Sequence, residues 1–346
     1  MQKIIVNGRF LIHRVTGVER YAREILLELD KLVSPETIKI AIPPEADNVP
    51  EYQNIDVIKI GKLSNRLWEH ISFPAYVRKQ KGISLNLCNV APLTSPGIVA
   101  IFDMKVREHP EFFSKQFVFW YRLLFSNETK RAKLIFTDSN SAKADILRYY
   151  KIPADKIVVA PCAWQHYEHV GFDEKATYKY GLQKNEYYFA MGSLDPNKNF
   201  QWIAEVARNN PEQVFAVAGS INKAVFSEGL GFECPENMKL LGYVSDEEAK
   251  TLMRDCRAFL FPSFCEGFGM PPLEALSAGT KTIVVSDIPV MHELFEDGAY
   301  YINPADSRID LTALNQISDQ TRKFVLDKYS WSKTARIVYQ QIQRLT

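Results

Sequence analysis

Short runs of apolar, β-branched residues alternate with amphipathic stretches of helix length along this chain, lapse over residues 161–185, and then begin again. That alternation is the signature of strand–helix units built around parallel sheets, and its interruption divides the chain into two such layers. Strands are expected at 3–6, 38–42, 56–60, 84–87, 98–102, 133–137 and 156–160, then at 187–191, 214–218, 239–241, 258–261, 282–285 and 300–302. A helix over 17–32 would place Val18, Tyr21, Ile25, Leu26 and Leu29 on one face, and another would start after Ser139 as its N-cap. Pro161, Gly171 and Gly181 punctuate the connection. At 346 residues the chain suits two domains of roughly 150 residues. Ligands of open α/β sheets lie beyond the carboxyl ends of the strands, so two lobes imply a cleft between two sets of loops.

Composition removes several classes. With 46% hydrophobic and 24% charged residues the chain is neither disordered nor collagen-like. Five cysteines (Cys88, Cys162, Cys234, Cys256 and Cys265), an odd number with no CxxC pair, indicate no disulfide framework or zinc ribbon and suit a reducing compartment. The opening apolar run is shorter than a signal-peptide core, and no run approaches the roughly 18 to 20 residues that span a bilayer. Residues 1–160 carry 24 Lys+Arg against 17 Asp+Glu, and residues 161–346 carry 18 against 24, so the first half is expected to meet something anionic. Residues 110–133 are rich in aromatics and end in Lys130, Arg131 and Lys133, which suits either core packing or a membrane interface. His166 and His169 lie three apart without companion ligands and read as a solvated pair. No GxGxxG or GxxxxGK motif is present, which disfavours dinucleotide oxidoreductases and P-loop NTPases.

Two clusters carry chemistry. The segment Phe264-Cys265-Glu266-Gly267-Phe268-Gly269-Met270-Pro271-Pro272-Leu273-Glu274 combines a glycine loop with a proline-started helix. Its glycines allow close approach to a ligand, and the helix start offers N–H groups to an anion. Glu266 would stand in the loop and Glu274 in the first turn of the helix. A carboxylate beside a diphosphate is no phosphate ligand, but it can accept hydrogen bonds from sugar hydroxyls. The segment Met191 to Asn199 follows a strand and brings Lys198 near a helix start as a point charge for phosphate.

Together these clusters resemble the retaining glycosyltransferases of family 4, with Glu266 and Glu274 matching the E-x7-E motif within EGFGMPPLEALSAGT. The resemblance extends through Asn7-Gly8-Arg9-Phe10, Thr16-Gly17-Val18-Glu19-Arg20-Tyr21, His109-Pro110-Glu111-Phe112-Phe113-Ser114, Thr137-Asp138-Ser139-Asn140-Ser141, Leu241-Gly242-Tyr243-Val244-Ser245 and Tyr329-Ser330-Trp331-Ser332. It implies an α/β GT-B fold: two Rossmann-like domains facing across a cleft, with the C-terminal helix crossing back to the first domain. The acceptor-binding domain would comprise residues 1–165 plus 330–346, and the nucleotide-sugar donor domain residues 166–329.

By the same resemblance Glu266 would bind the donor sugar's hydroxyls, and Gly267, Phe268, Gly269 and Met270 would offer backbone N–H groups. Glu274 would hold the ribose, and Lys198 the diphosphate. Ser193 and Asn197 stand in the diphosphate loop where many relatives carry arginine. Gly219 with Tyr243 and Val244 would face the base, and Gly17 would close over the diphosphate. Where the family commonly has His-Asp, this chain has Phe102-Asp103. Asp103 would then orient the acceptor hydroxyl, and Phe102 would form an apolar wall of the donor pocket. The catalytic residues expected are Glu266, Asp103 and Lys198. The implied function is a hexosyltransferase moving a sugar from a nucleotide-diphosphate donor to a saccharide or polyprenyl-linked saccharide in surface polysaccharide biosynthesis. No cofactor and no metal are expected, nor any nucleic acid. The location expected is cytoplasmic, with peripheral contact to anionic membrane open. A non-catalytic saccharide-binding or partner subunit of the same fold is the alternative.

Overall fold

The computed structural model of the chain describes residues 2–47, 49–193, 195–219 and 233–346. They group into two compact units: Met1–Met104 with Phe119–Cys162 and Ser330–Thr346, and Lys105–Val118 with Ala163–Tyr329. The segment Lys105–Val118, expected with the first half of the chain, thus groups with the second unit.

The first unit holds a seven-stranded parallel sheet in the order β3-β2-β1-β4-β5-β6-β7. The strands are β1 (Ile4–Asn7), β2 (Ile38–Ile42), β3 (Asp56–Lys59), β4 (Ile83–Asn86), β5 (Ile98–Ala100), β6 (Leu134–Thr137) and β7 (Ile157–Val159). Side chains alternate faces along a strand, yet Ile4, Ile5 and Val6 are all fully buried, so both faces of the sheet are covered. The chain runs outward from β1 to β3 and returns with β4 on the other side of β1, which opens a crevice beyond the ends of β1 and β4.

The helix Gly17–Asp30 begins with a capping box between Thr16 and Glu19 and buries Tyr21, Ile25, Leu26 and Leu29. The C-terminal helix Trp331–Leu345 returns to this unit and packs against it, with the Trp331 and Tyr21 rings edge-on at 5.9 Å. Thr334 Oγ1 donates to the carbonyl of Pro161 at 2.7 Å, which ties down the start of the helix.

The second unit repeats the design with six parallel strands in the order β10-β9-β8-β11-β12-β13. They are β8 (Tyr187–Met191), β9 (Val214–Ala218), β10 (Met238–Gly242), β11 (Ala258–Phe261), β12 (Ile283–Ser286) and β13 (Tyr300–Ile302). The helix Phe200–Asn209 buries Phe200, Trp202, Ile203 and Val206 into one cluster with Phe215, Val217 and Leu260. Each such side chain contributes about 1.5–3 kcal/mol of burial. Here the sheet order reverses between β8 and β11, so the loops that follow these two strands, residues 192–199 and 262–269, open beside one another. They are the two clusters singled out from the sequence.

Candidate active site

Glu266 is nearly inaccessible, its side chain 7% exposed, and two ammonium groups face it. Lys198 Nζ donates to Oε1 at 2.6 Å and Lys105 Nζ to Oε2 at 3.5 Å. Burial alone raises the pKa of this carboxyl, but the charges of Lys105 and Lys198 and the hydrogen bond from Lys198 outweigh that penalty and hold it at about 2. Glu266 is therefore a carboxylate at any physiological pH, an acceptor of hydrogen bonds and not a proton donor. The Lys198 ammonium also sits 4.6 Å from the Phe261 ring centroid, and its stem passes Gly192, where a Cβ would stand 3.5 Å away.

The neighbouring Asn197 does something other than expected. It is 2% exposed, its Nδ2 donates to the Cys265 carbonyl at 2.8 Å, and its Oδ1 accepts from the Cys265 N–H at 3.1 Å. Its own carbonyl accepts from Phe264 N at 2.9 Å. The amide ties one loop to the other, so Asn197 positions Glu266. Asn199, at φ +54°, repeats the device by donating to the carbonyls of Pro262 and Pro304. Ser193 is exposed and its hydroxyl is bonded to Asp195; Leu194, in the same cluster, lies outside the described residues.

Gly269 is the N-cap of the helix Met270–Ala278, with Pro271 in the first turn. Its φ of +120° and a Cβ position 2.8 Å from Met291 Cε leave room for glycine alone. Phe268 is 3% exposed with its ring edge-on to Tyr329 at 5.2 Å, so only its backbone faces outward chemistry. Glu274 is the fifth residue of the helix, which corrects its expected place in the first turn. It is buried, and its Oε1 lies 2.9 Å from His166 Nε2. His166 is buried too, so the reading of His166 and His169 as a solvated pair holds only for exposed His169. On the other side of the site, Gly219 N donates to Gly242 O at 2.8 Å and ties the ends of β9 and β10; Tyr243 is 65% exposed and Val244 is buried.

Lys105 carries no motif and was missed in the sequence. The remaining expected residues, Gly17 and Asp103, belong to the first unit. Gly17 opens the helix Gly17–Asp30 and is exposed. Phe102 packs in the first unit: it is 4% exposed and its ring stands edge-on to Tyr21 at 4.7 Å. The crevice beyond β1 and β4 forms a cavity of about 200 Å³ lined by Asn7, Arg9, His13, Glu19, Glu69 and Tyr121, among others. Asn7 Nδ2 donates to Glu69 Oε1 at 2.9 Å and to Asn86 Oδ1 at 3.1 Å, while Arg9 Nη1 donates to Glu69 Oε2 at 3.0 Å. Arg9 Nε is buried with no hydrogen-bond partner. Tyr121 is held at about 12 by burial and by the charge of Asp103.

Among the described residues no group of three or more His, Cys, Asp or Glu side chains is placed to hold a metal ion, and no helix is long and apolar enough to cross a membrane.

Residues 172–317, all in the second unit, match the family model "Glycosyl transferases group 1". Over 333 residues the chain is 29% identical to the O-antigen chain mannosyltransferase RfbU of Salmonella typhimurium, covering 91% of this chain and 90% of that one. The O-antigen chain mannosyltransferase B of Escherichia coli is 26% identical over 221 residues, 60% of this chain and 58% of that one. Among solved structures, sucrose-phosphate synthase from Thermosynechococcus elongatus superimposes with a TM-score of 0.76 at 15% identity, covering 100% of this chain and 99% of that one. Anabaena HepE in complex with UDP and glucose gives 0.71 at 15% identity, covering 99% and 100%. The fold is GT-B. The chain is a glycosyltransferase, an enzyme of the hexosyltransferase class.

Proposed function

We propose that this enzyme is a retaining, metal-independent transferase of surface polysaccharide assembly, moving a hexose from a nucleotide-diphosphate donor to a saccharide acceptor carried on a lipid. The observation that carries the reading is the ionised Glu266 set against Lys198 at the mouth of a glycine loop. A carboxylate there accepts hydrogen bonds from the sugar, and the ammonium with the N–H groups of residues 267–270 receives the diphosphate. Glu274, oriented by His166, accepts from the ribose hydroxyls, and the exposed ring of Tyr243 beside Gly219 offers a face to the base. The C1–O bond to the diphosphate breaks as the acceptor oxygen bonds C1 on the same face, and the acceptor's proton passes to the departing phosphate oxygen. The protein supplies position and positive charge and needs no nucleophile of its own. Names of the relatives support the substrate class: RfbU is an O-antigen chain mannosyltransferase, and the HepE structure holds UDP and glucose.

The acceptor saccharide would enter the first unit's cavity, where Arg9 and Glu69 present both a donor and an acceptor, with Asp103 orienting the reacting hydroxyl. A lipid carrier is supported by a surface of the same unit, at the cytoplasmic face of the membrane. The helix Lys115–Arg131 buries Leu124 and Phe125 but exposes Phe119 by 70% and Leu123 by 42%. Trp120 of that helix lies under Arg66 and edge-on to His70, and Leu67, next to Arg66, and Ile71, next to His70, are also exposed. Apolar side chains beside arginine suit an anionic bilayer surface.

Two measurements test this. The full chain, incubated in EDTA with GDP-mannose, UDP-glucose, UDP-galactose and dTDP-rhamnose, is expected to release nucleoside diphosphate slowly from one of them, with the liberated sugar first appearing as the donor's anomer. Inversion, or turnover only with a divalent ion, defeats the mechanism. In sedimentation the protein is expected to follow vesicles containing phosphatidylglycerol and to leave them at 1 M salt, where the Debye length falls to about 3 Å; Phe119→Ser with Leu67→Ser should abolish pelleting. Failure to pellet with either anionic or neutral vesicles would leave a soluble acceptor as the better reading.

A further inference from the structure

Lys105 lies outside every motif, yet its segment grips three consecutive residues of the Glu266 loop. The rings of His109 and Phe112 stand 6.1 and 5.9 Å from that of Phe264. The Cys265 thiol donates to Glu108 Oε2 at 2.8 Å, and Lys105 Nζ reaches Glu266 Oε2 at 3.5 Å. Lys105 is thus delivered to the donor site by a docked segment and is not a wandering surface side chain; it is 20% exposed.

Two ammonium groups share one carboxylate at unequal distances. Lys198 is bonded at 2.6 Å, whereas Lys105 stands nearly an ångström further off and is the more accessible of the two. The Lys198 loop itself has no second cation to offer, since Asn197 is committed to Cys265 and Ser193 to Asp195. A diphosphate carries more charge than one ammonium balances, and like charges converging on one carboxylate are relieved by a further anion.

We infer that Lys105 is the second cation of the donor site, binding the diphosphate of the nucleotide together with Lys198. The inference rests on the donor-site reading above and adds to it a residue from the first half of the chain. When the diphosphate enters, Lys105, the more distant of the two from Glu266, turns to it, and Glu266 Oε2 becomes available to a sugar hydroxyl. Phosphate binding thereby prepares sugar recognition.

Calorimetric titration of the full chain with GDP, UDP, GMP and UMP tests this in wild type, Lys105→Ala, Lys105→Gln and Lys105→Arg, each with circular dichroism as the check on folding. For whichever diphosphate the wild type binds, Lys105→Ala and Lys105→Gln are expected to weaken affinity about 10-fold, the scale of one charge-assisted hydrogen bond. The corresponding monophosphate should change less than about 3-fold, and Lys105→Arg should recover most of the loss. Undiminished diphosphate affinity, an equal loss for mono- and diphosphate, or no recovery with arginine overturns the role of Lys105 alone. A wild type that binds neither diphosphate overturns the donor-site reading, and this inference with it.

Discussion

Glu266→Gln is expected to lower sugar transfer about 10- to 100-fold while the melting curve stays that of a folded protein. The carboxylate's bonds to sugar hydroxyls strengthen as positive charge develops at the anomeric carbon, and a charge-assisted bond of roughly 1.5–3 kcal/mol is lost when it becomes an amide. The two lysines supply a second readout. With Glu266 neutral, Lys198 and Lys105 face one another with no carboxylate between them, so nucleoside diphosphate should bind the variant at least as tightly as wild type. Falling kcat with undiminished diphosphate affinity is the expected pair of results. Near-normal turnover would remove Glu266 from the chemistry, and loss of diphosphate affinity would mean that it serves the loop's shape instead.

Lys198→Ala should cost both stability and nucleotide binding, and its cost should depend on pH. Glu266 titrates at about 2 in the folded protein against an ordinary 4.5, a difference of about 3 kcal/mol. A depressed carboxyl contributes stability that is fully present above its unfolded value and is lost as pH falls through its folded value. The contribution therefore holds at pH 7, begins to fade near pH 4.5 and is gone near pH 2. Removing Lys198 leaves the buried carboxylate with Lys105 at 3.5 Å, so the variant should melt well below wild type at pH 7. The gap should narrow as the solution is acidified below pH 4.5, because a protonated Glu266 no longer needs the lysine. Stabilisation by added nucleoside diphosphate should largely disappear at every pH. Thermal melts at pH 7 and pH 3.5, with and without nucleotide, check all three; a gap that does not change with pH contradicts the assignment of that stability to the Glu266–Lys198 pair.

Strands 38–42, 187–191, 214–218 and 258–261 could be delimited from the sequence to the residue, because a parallel strand with both faces covered needs a short, almost unbroken apolar run. Edges were less legible. The strand expected to reach Phe102 stops at Ala100, since Phe102 leaves the ladder to pack on Tyr21, and β12 runs one residue later than its apolar run suggests. The aromatic stretch 110–133 was undecided between core and interface because both burial and exposure occur within one helix: Leu124 and Phe125 turn inward while Phe119 turns out.

For the site, residue type and local spacing made Glu266, Lys198 and Gly269 recognisable: a carboxylate in a glycine loop, a lysine at a helix start, and a glycine at a backbone angle other residues avoid. What no local pattern contains is the partner of each group. Glu266 meets Lys198 because β8 and β11 are neighbours in a sheet whose order reverses between them. The same adjacency turns Asn197 from a presumed phosphate contact into the clasp on Cys265. Lys105 lies 161 residues before the carboxylate it faces, and His166 lies 108 residues before Glu274. Apolar periodicity is written in neighbouring residues and survives being read alone; charge pairing across such distances exists only once crossovers and docked segments have carried the chain back on itself, so tertiary structure alone decided which cations this carboxylate would keep.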